Sequence, residues 1–242
     1  MKRVPIYYVQ LITILFSLQP TVERVIAYYD FQLGAPKCTK VGKACDTMNL
    51  INGRGTITNG AEPMLSSTLD SCVDGNSGSY HKDESIDRIV VRTSDGSDFH
   101  GGVEVVIDAT VYAWNTGKAD HAHFFYTTDP TNPNWILIGS KQPTTGGVTT
   151  ISMSYTLPSG FPLQAIRVTY QYSSNGGSSD PCPGGDYDDA DDVVFAVWTE
   201  NPPTQLVSSM DNITFAVGKT VAYFSTCALK ILHEAHNNSF SF

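Results

Sequence analysis

The stretch GVEVVIDATVYAW, residues 102–114, alternates between two sets of side chains with a period of two. Successive side chains of a β-strand point to opposite faces of the sheet, so this period is typical of a strand with one buried face. The predicted core face carries Val105, Ile107, Ala109, Val111 and Ala113. The opposite face carries Glu104, Val106, Asp108, Thr110, Tyr112 and Trp114. The stretch therefore predicts a half-buried strand.

Further short strand patterns accompany this one, and segments rich in Gly, Pro, Asn and Asp separate them. No helical pattern of ordinary length occurs between residues 80 and 200, which disfavours a parallel α/β fold. We therefore expect an all-β chain, an antiparallel β-sandwich or jelly roll with an irregular N-terminal stretch and a short C-terminal extension. The predicted strands cover residues 87–93, 121–128, 134–140, 149–157, 163–172 and 191–198.

The N-terminus has the pattern of a secretion signal. Lys2 and Arg3 precede an apolar run at residues 6–18, which is shorter than the roughly 20 residues of a spanning helix. Val25 and Ala27 place small side chains at the −3 and −1 positions, which suits cleavage after Ala27. An uncleaved signal anchor is the alternative. The chain is predicted to be extracellular, without stable membrane insertion once the signal is cleaved. The predicted segments are a signal peptide at 1–27, a linker at 28–44, a sandwich domain at 45–200 and a C-terminal extension at 201–242.

The composition favours a globular protein with an acidic surface. Hydrophobic residues make up 41% of the 242 residues, and the formal net charge is -9. A surface of this sign repels nucleic acid phosphates and anionic lipids. The partners that suit it are cations, neutral sugars and basic proteins, and no nucleic acid partner is expected.

Five cysteines in a secreted chain are disulfide candidates, and their spacing matches neither a zinc ribbon nor a CxxC redox pair. We expect Cys45 to pair with Cys72, although sequence alone does not determine connectivity. Because five is odd, at least one cysteine is free or pairs with another chain. Two sequons, at Asn212 and Asn237, predict exposed glycosylation sites if the source is eukaryotic.

The run DYDDADDVVFAV, residues 186–197, places an aspartate cluster against an apolar strand. Val193 and Phe195 mark the predicted core face, and the same parity turns Asp189 and Asp191 toward the interior. Asp192 falls on the opposite face. Neighbouring buried carboxylates repel one another, and burial of an unpaired ion costs several kcal/mol.

A second acidic group opens the strand pattern near residue 87. If the first and last strands are neighbours, Asp83 and Glu84 meet the aspartate run at one end of the sheet, where Ca²⁺ would neutralise the carboxylates. A solvated acidic loop is the alternative. The predicted calcium ligands are Asp83, Glu84, Asp189, Asp191 and Asp192.

Two aromatic residues at the end of the 102–114 strand are candidate ligand contacts. Tyr112 and Trp114 share the outward face, and exposed aromatic rings stack well on sugar rings. The alternative is that a loop or the second sheet covers them.

Several segments resemble a β-sandwich accessory domain found at the C-terminus of secreted bacterial peptidases. They are CDTMNLINGRGTI at 45–57, YHKDESIDRI at 80–89 and YDDADDVVFAV at 187–197. The last segment is also similar to galactose-binding-like jelly rolls, in which acids near the last strand often hold calcium. The resemblance implies a non-catalytic module, and the peptidase domain itself is missing here.

These observations predict a secreted, non-catalytic, calcium-stabilised module that binds glycans or an extracellular surface or protein. A structural subunit of an extracellular assembly, such as a coat or filament, is the alternative, and it would make the chain a homo-oligomer. A secreted hydrolase is a third class, for which the sequence offers no convergent nucleophile and base.

Overall fold

The computed structural model describes residues 24–55, 62–63, 67–173 and 176–199, and the backbone of 214–217 and 220–223. These residues form strands and turns, and among them no helix is long and apolar enough to cross a membrane. The strands are β1 (Arg24–Ile26), β2 (Tyr28–Asp30), β3 (Ala35–Cys38), β4 (Ala44–Asp46), β5 (Ser85–Thr93), β6 (Glu104–Ala113), β7 (Asp120–Thr127), β8 (Ile136–Lys141), β9 (Gly147–Thr156), β10 (Leu163–Tyr172), β11 (Asp189–Ala196), β12 (Thr214–Val217) and β13 (Thr220–Tyr223).

Two sheets pack face to face as a sandwich, which confirms the predicted fold class. The first sheet has the order β1-β4-β5-β6-β9, and the second has the order β2-β3-β11-β10-β7-β8. The pairs β1–β4 and β3–β11 are parallel, and the other pairs in these two sheets are antiparallel. The first and last predicted strands, β5 and β11, therefore lie in different sheets and do not pair through backbone hydrogen bonds.

Strand parity determines which side chains fill the core. All five predicted core residues of β6 are fully buried, and the outward residues Glu104 and Asp108 are not. From the second sheet, β10 contributes Ile166 and Val168, and β11 contributes Val193, all fully buried. Full burial of a Val or Ile side chain is worth about 1.5–3 kcal/mol, so the alternating strands supply the main stabilisation.

The sandwich begins before the expected boundary at residue 45. The segment predicted as a linker, 28–44, contains β2 and β3, and β3 pairs with the end of β11. The end of the predicted signal peptide also overlaps the fold, because β1 pairs with β4 and the Ala27 N–H donates to Asp46 O at 2.9 Å. Strands of three or four residues are too short to show a period of two, which is why the sequence pattern missed them.

The two disulfides differ from the expected Cys45–Cys72 pair. Cys38 bonds Cys45, and Cys72 bonds Cys182. The expected pairing is wrong because Cys45 lies on β4 across the sandwich from β3, whereas Cys72 lies in a loop beside the 176–188 loop. Two disulfides indicate an oxidising compartment. The remaining cysteine, Cys227, lies outside the described residues.

The strands β12 and β13 form an antiparallel pair in a unit distinct from the sandwich. Both predicted glycosylation sites, Asn212 and Asn237, lie outside the described residues, as do residues 1–23 of the predicted signal peptide.

Candidate functional site

The five predicted calcium ligands occupy three different environments. Asp189 and Asp191 point into the sandwich, as their parity predicts, and both are fully buried. Asp192 lies on the outer face of the second sheet, and Asp83 and Glu84 line a surface pocket. The two chain segments do meet, since the Ile86 N–H donates to Asp189 Oδ2 at 2.5 Å. Their carboxylates, however, do not converge on one point.

Asp192 already has a cationic partner. Arg167 donates from Nε to Asp192 Oδ1 and from Nη2 to Oδ2, both at 2.8 Å, and the Leu69 N–H donates to Oδ2 at 2.7 Å. Burial raises the pKa of Asp192, and the Arg167 guanidinium opposes that rise. The same guanidinium also bonds Asp70 and lies 4.3 Å from the ring centre of Trp135. With its oxygens already bonded, Asp192 is a structural ion-pair partner.

Asp189 and Asp191 belong to a different group, here called the interior acid cluster: Glu62, Asp74, Asp189 and Asp191. Asp74 lies along the edge of β11, because its Oδ1 accepts the Ala190 N–H at 3.2 Å. Its carboxyl group is a hydrogen-bond neighbour of both Glu62 and Asp189. Glu62 Oε2 accepts the Ser67 hydroxyl at 2.9 Å. The loop that leads to β5 thus brings two further acids onto β11.

Several oxygens of this cluster lack any hydrogen bond. Both oxygens of Asp191 are buried without a partner, and so are Glu62 Oε1 and Asp189 Oδ1. Burial, with the neighbouring carboxylates, raises the pKa of Asp189 and of Asp191 well above the ordinary value. Burial and then the charge of Asp74 raise the pKa of Glu62 to about 9. The cluster is therefore costly to ionise as it stands.

Arg54 is a basic residue beside the interior acid cluster, but its guanidinium group donates its hydrogen bonds to backbone carbonyls. Burial raises the pKa of Asp189, and the positive charge of Arg54 opposes only part of that rise. Nη2 donates to Ser77 O at 2.8 Å, and Nη1 donates to Gly75 O at 3.3 Å and to Asp186 O at 3.4 Å. These bonds tie the 74–77 loop to the segment before β11. The described part of the chain contains no three His, Cys, Asp or Glu side chains already in the arrangement of a metal site.

The second feature is the aromatic pocket, lined by Asp83, Glu84, Trp114, Tyr172 and Tyr187. Its cavity volume is about 230 Å³. The three aromatic side chains are between 39% and 45% exposed, and the Trp114 ring meets the Tyr172 ring edge-on at 5.7 Å. Aromatic surface and carboxylate oxygens therefore face the same solvent-accessible space.

A buried carboxyl pair lies at the base of the aromatic pocket. Glu84 and Asp120 are hydrogen-bond neighbours, and Asp120 Oδ2 also accepts the Trp114 N–H at 2.8 Å and the Tyr170 hydroxyl at 3.3 Å. Burial, and then the charge of Asp120, raise the pKa of Glu84 to about 7. One of the two carboxyl groups is therefore able to hold a proton near neutral pH and donate it in a hydrogen bond.

The two predicted aromatic contacts have different surroundings. Trp114 lines the aromatic pocket, as a ligand contact would. Tyr112 does not line it: its ring stacks on the His81 ring at 4.9 Å, and His81 stacks on Tyr80 at 3.8 Å. The Tyr112 ring is therefore engaged in an intramolecular stack on the first sheet.

Sequence reasoning missed Glu62, Asp74, Asp120, Tyr172 and Tyr187. The alternation of β10 contained a signal for Tyr172, which ends that strand beside Trp114. Glu62 and Asp74 lie in an aperiodic loop, and their partners on β11 are more than 100 residues away. No local sequence pattern could therefore predict these contacts.

Comparison of the chain with models of known protein families gives no match, and comparison with curated proteins gives none either. The similarity to the accessory domain of secreted peptidases therefore stays a hypothesis based on the quoted segments.

Proposed function

We propose that this chain is a secreted, non-catalytic β-sandwich module that binds glycans, and that the aromatic pocket is its binding site. The observation that carries the proposal is the exposure of Trp114, Tyr172 and Tyr187 around Asp83 and Glu84. Large aromatic side chains are normally buried in a monomeric domain, and here three of them surround one opening.

The chemistry of the aromatic pocket suits a neutral sugar. Flat rings stack on the C–H faces of a pyranose, and carboxylates accept hydrogen bonds from its hydroxyl groups. The net charge of -9 opposes anionic ligands, which favours an uncharged glycan over a sulfated or phosphorylated one.

The arrangement of the acids supports binding over glycoside hydrolysis. Hydrolytic carboxyl groups flank the scissile bond about 5–9.5 Å apart. Glu84 and Asp120 instead contact each other and are both buried, so no sugar fits between them. The two disulfides and the signal-like N-terminus support an extracellular location.

A sharp test compares two tryptophans with similar exposure. Trp114, in the aromatic pocket, is 42% exposed, and Trp198, outside it, is 45% exposed. After a glycan array identifies a ligand, Trp114→Ala should weaken its binding about tenfold or more, which is about 1.4 kcal/mol. Trp198→Ala should bind like the wild type. Equal binding by both variants, or an array without any glycan ligand, would contradict the proposal.

A structural subunit of an extracellular assembly is the second candidate function. The observation that favours it is that four cysteines pair within the chain, which leaves Cys227 without an intrachain cysteine partner. A non-reducing gel decides this: a dimer that disappears in Cys227→Ser supports an assembly, and a monomer in both proteins argues against it.

A further inference from the structure

We propose that the interior acid cluster, Glu62, Asp74, Asp189 and Asp191, is a binding site for one Ca²⁺ ion that stabilises the sandwich. This ligand set differs from the one that the sequence pattern predicts. It excludes Asp83, Glu84 and Asp192, and it includes two acids from the loop before β5. The proposal does not depend on the glycan site.

The first argument is the difference between two adjacent aspartates on β11. Both are fully buried. Asp192 has its oxygens bonded by Arg167 and the Leu69 N–H, whereas Asp191 makes no hydrogen bond through either oxygen. A buried polar group without a partner is expensive and rare in folded proteins. Asp191 therefore needs a partner that belongs to none of the described side chains around it.

The second argument is the direction in which these free oxygens face. Asp191 and Asp189 share one face of β11, and Asp74 Oδ1 accepts the N–H of Ala190 between them, so the carboxyl group of Asp191 lies on the same side as Asp189 and next to Asp74. Glu62 Oε1 and Asp189 Oδ1 are also buried and unbonded. Among the described residues, no donor reaches these four oxygens, although the Gly55 N–H donates to Asp74 Oδ2 at 3.2 Å and the Ser67 hydroxyl donates to Glu62 Oε2. Protons or a cation would satisfy these buried oxygens.

The third argument selects the cation. Four carboxyl groups supply oxygen ligands only, and Ca²⁺ takes six to eight oxygens from carboxylates, carbonyls and water in flexible geometry. Zinc prefers nitrogen and sulfur ligands in a tetrahedron, and Mg²⁺ demands a strict octahedron. The carboxyl groups do not yet surround one point. Because both Asp191 oxygens are unbonded, a turn of that side chain toward an ion would break no hydrogen bond.

An ion bound at this site would also hold the loop before β5 against β11. Asp74 lies in the loop that runs along β11, where the Gly75 N–H donates to Asp188 O at 2.7 Å and the Asp192 N–H donates to Ser67 O at 2.8 Å. An ion shared by Asp74, Glu62 and the two β11 aspartates would fasten this loop to the sheet. Its loss should loosen the loop and lower the melting temperature.

The experiment measures thermal unfolding of the full secreted protein at pH 8 in EDTA, in Ca²⁺ and in Mg²⁺. Calcium at one hundred times its dissociation constant should raise the melting temperature by about 5–10 °C for a chain of this length. Magnesium should have a smaller effect. A wild-type melting temperature that is the same in EDTA and Ca²⁺, and that instead rises on acidification, would show a protonated cluster and overturn the proposal.

The matched variants are Asp191→Asn and Asp186→Asn, which remove the same charge from the same acidic run. Asp186 is exposed and lies outside the cluster. With an ion present, Asp191→Asn should lose the calcium response and Asp186→Asn should keep it. Without an ion, Asp191→Asn removes a repelling charge and should raise the melting temperature in both buffers, which refutes the proposal.

A second measurement covers the case in which Asp191→Asn fails to fold. Terbium luminescence sensitised by nearby tyrosine, such as Tyr29 close to Glu62, should titrate to one ion per wild-type chain and be displaced by Ca²⁺. Weak binding of several terbium ions without calcium competition would show an adventitious surface effect only and contradict the site.

Discussion

Removal of each disulfide in turn is expected to destabilise the sandwich by very different amounts. The Cys72–Cys182 bond joins residues 110 positions apart, and the Cys38–Cys45 bond joins residues 7 positions apart. A disulfide stabilises mainly by restricting the unfolded chain, and this restriction grows with the logarithm of loop length. The double variant Cys72→Ser/Cys182→Ser should therefore be the more damaged of the two.

The chain-entropy relation gives the expected magnitudes. At 25 °C the long loop corresponds to about 5 kcal/mol and the short loop to about 2.4 kcal/mol. Small domains are stable by only about 5–15 kcal/mol, so loss of the long bond should leave much of the protein near its unfolding midpoint. Loss of the short bond in Cys38→Ser/Cys45→Ser should leave a folded protein with a lower midpoint.

Urea unfolding of the two double variants and the wild type, all in oxidising buffer, measures both values. Peptide mapping of the wild type should first recover the Cys72–Cys182 and Cys38–Cys45 peptides. Equal losses in the two variants, or a larger loss in Cys38→Ser/Cys45→Ser, would refute the argument from loop length. Recovery of a Cys45–Cys72 peptide would refute the pairing itself.

Three further perturbations test the buried charges and the loop along β11. Arg167→Met should lower the free energy of unfolding in urea by about 3–5 kcal/mol, because it leaves Asp192 buried without its cation. Adding Asp192→Asn should recover part of that stability, and no recovery would contradict the pairing. The raised pKa of Glu84 disfavours its ionised form in the folded state, so the stability that Glu84 contributes is complete below pH 4.5 and is lost as the pH rises to about 7. Glu84→Gln should remove this loss of stability, which is on the order of 2 kcal/mol. One pKa unit corresponds to about 1.4 kcal/mol, and Glu84 shares the effect with Asp120. A pH profile of the urea midpoint that is unchanged in Glu84→Gln would contradict this prediction. Gly75→Ala should cost about 1–3 kcal/mol, because its Cβ would lie 2.2 Å from Asp186 O, and an unchanged midpoint would show that the loop moves aside without cost.

The same sequence pattern predicted the strands, but the structure does not bring the five predicted calcium ligands to one point. Parity along β11 correctly turned Asp189 and Asp191 inward and Asp192 outward. The predicted ligand set assumed that the first and last strands are neighbours in one sheet, whereas β5 and β11 belong to different sheets. Glu84 consequently lies beside Asp120 at the aromatic pocket and not among the β11 aspartates.

The periodic strands, the sandwich class and the inward aspartates could all be read from the amino acids, because alternation along a strand is a property of adjacent residues. The disulfide pairs, the arginine beside Asp192 and the two loop acids beside Asp191 depended on folding in three dimensions. Asp74 reaches the Ala190 N–H across 116 positions, and Cys72 reaches Cys182 across 110. Contacts at such separations follow from how the loops pack over the sheets, and no short pattern in the chain encodes that packing.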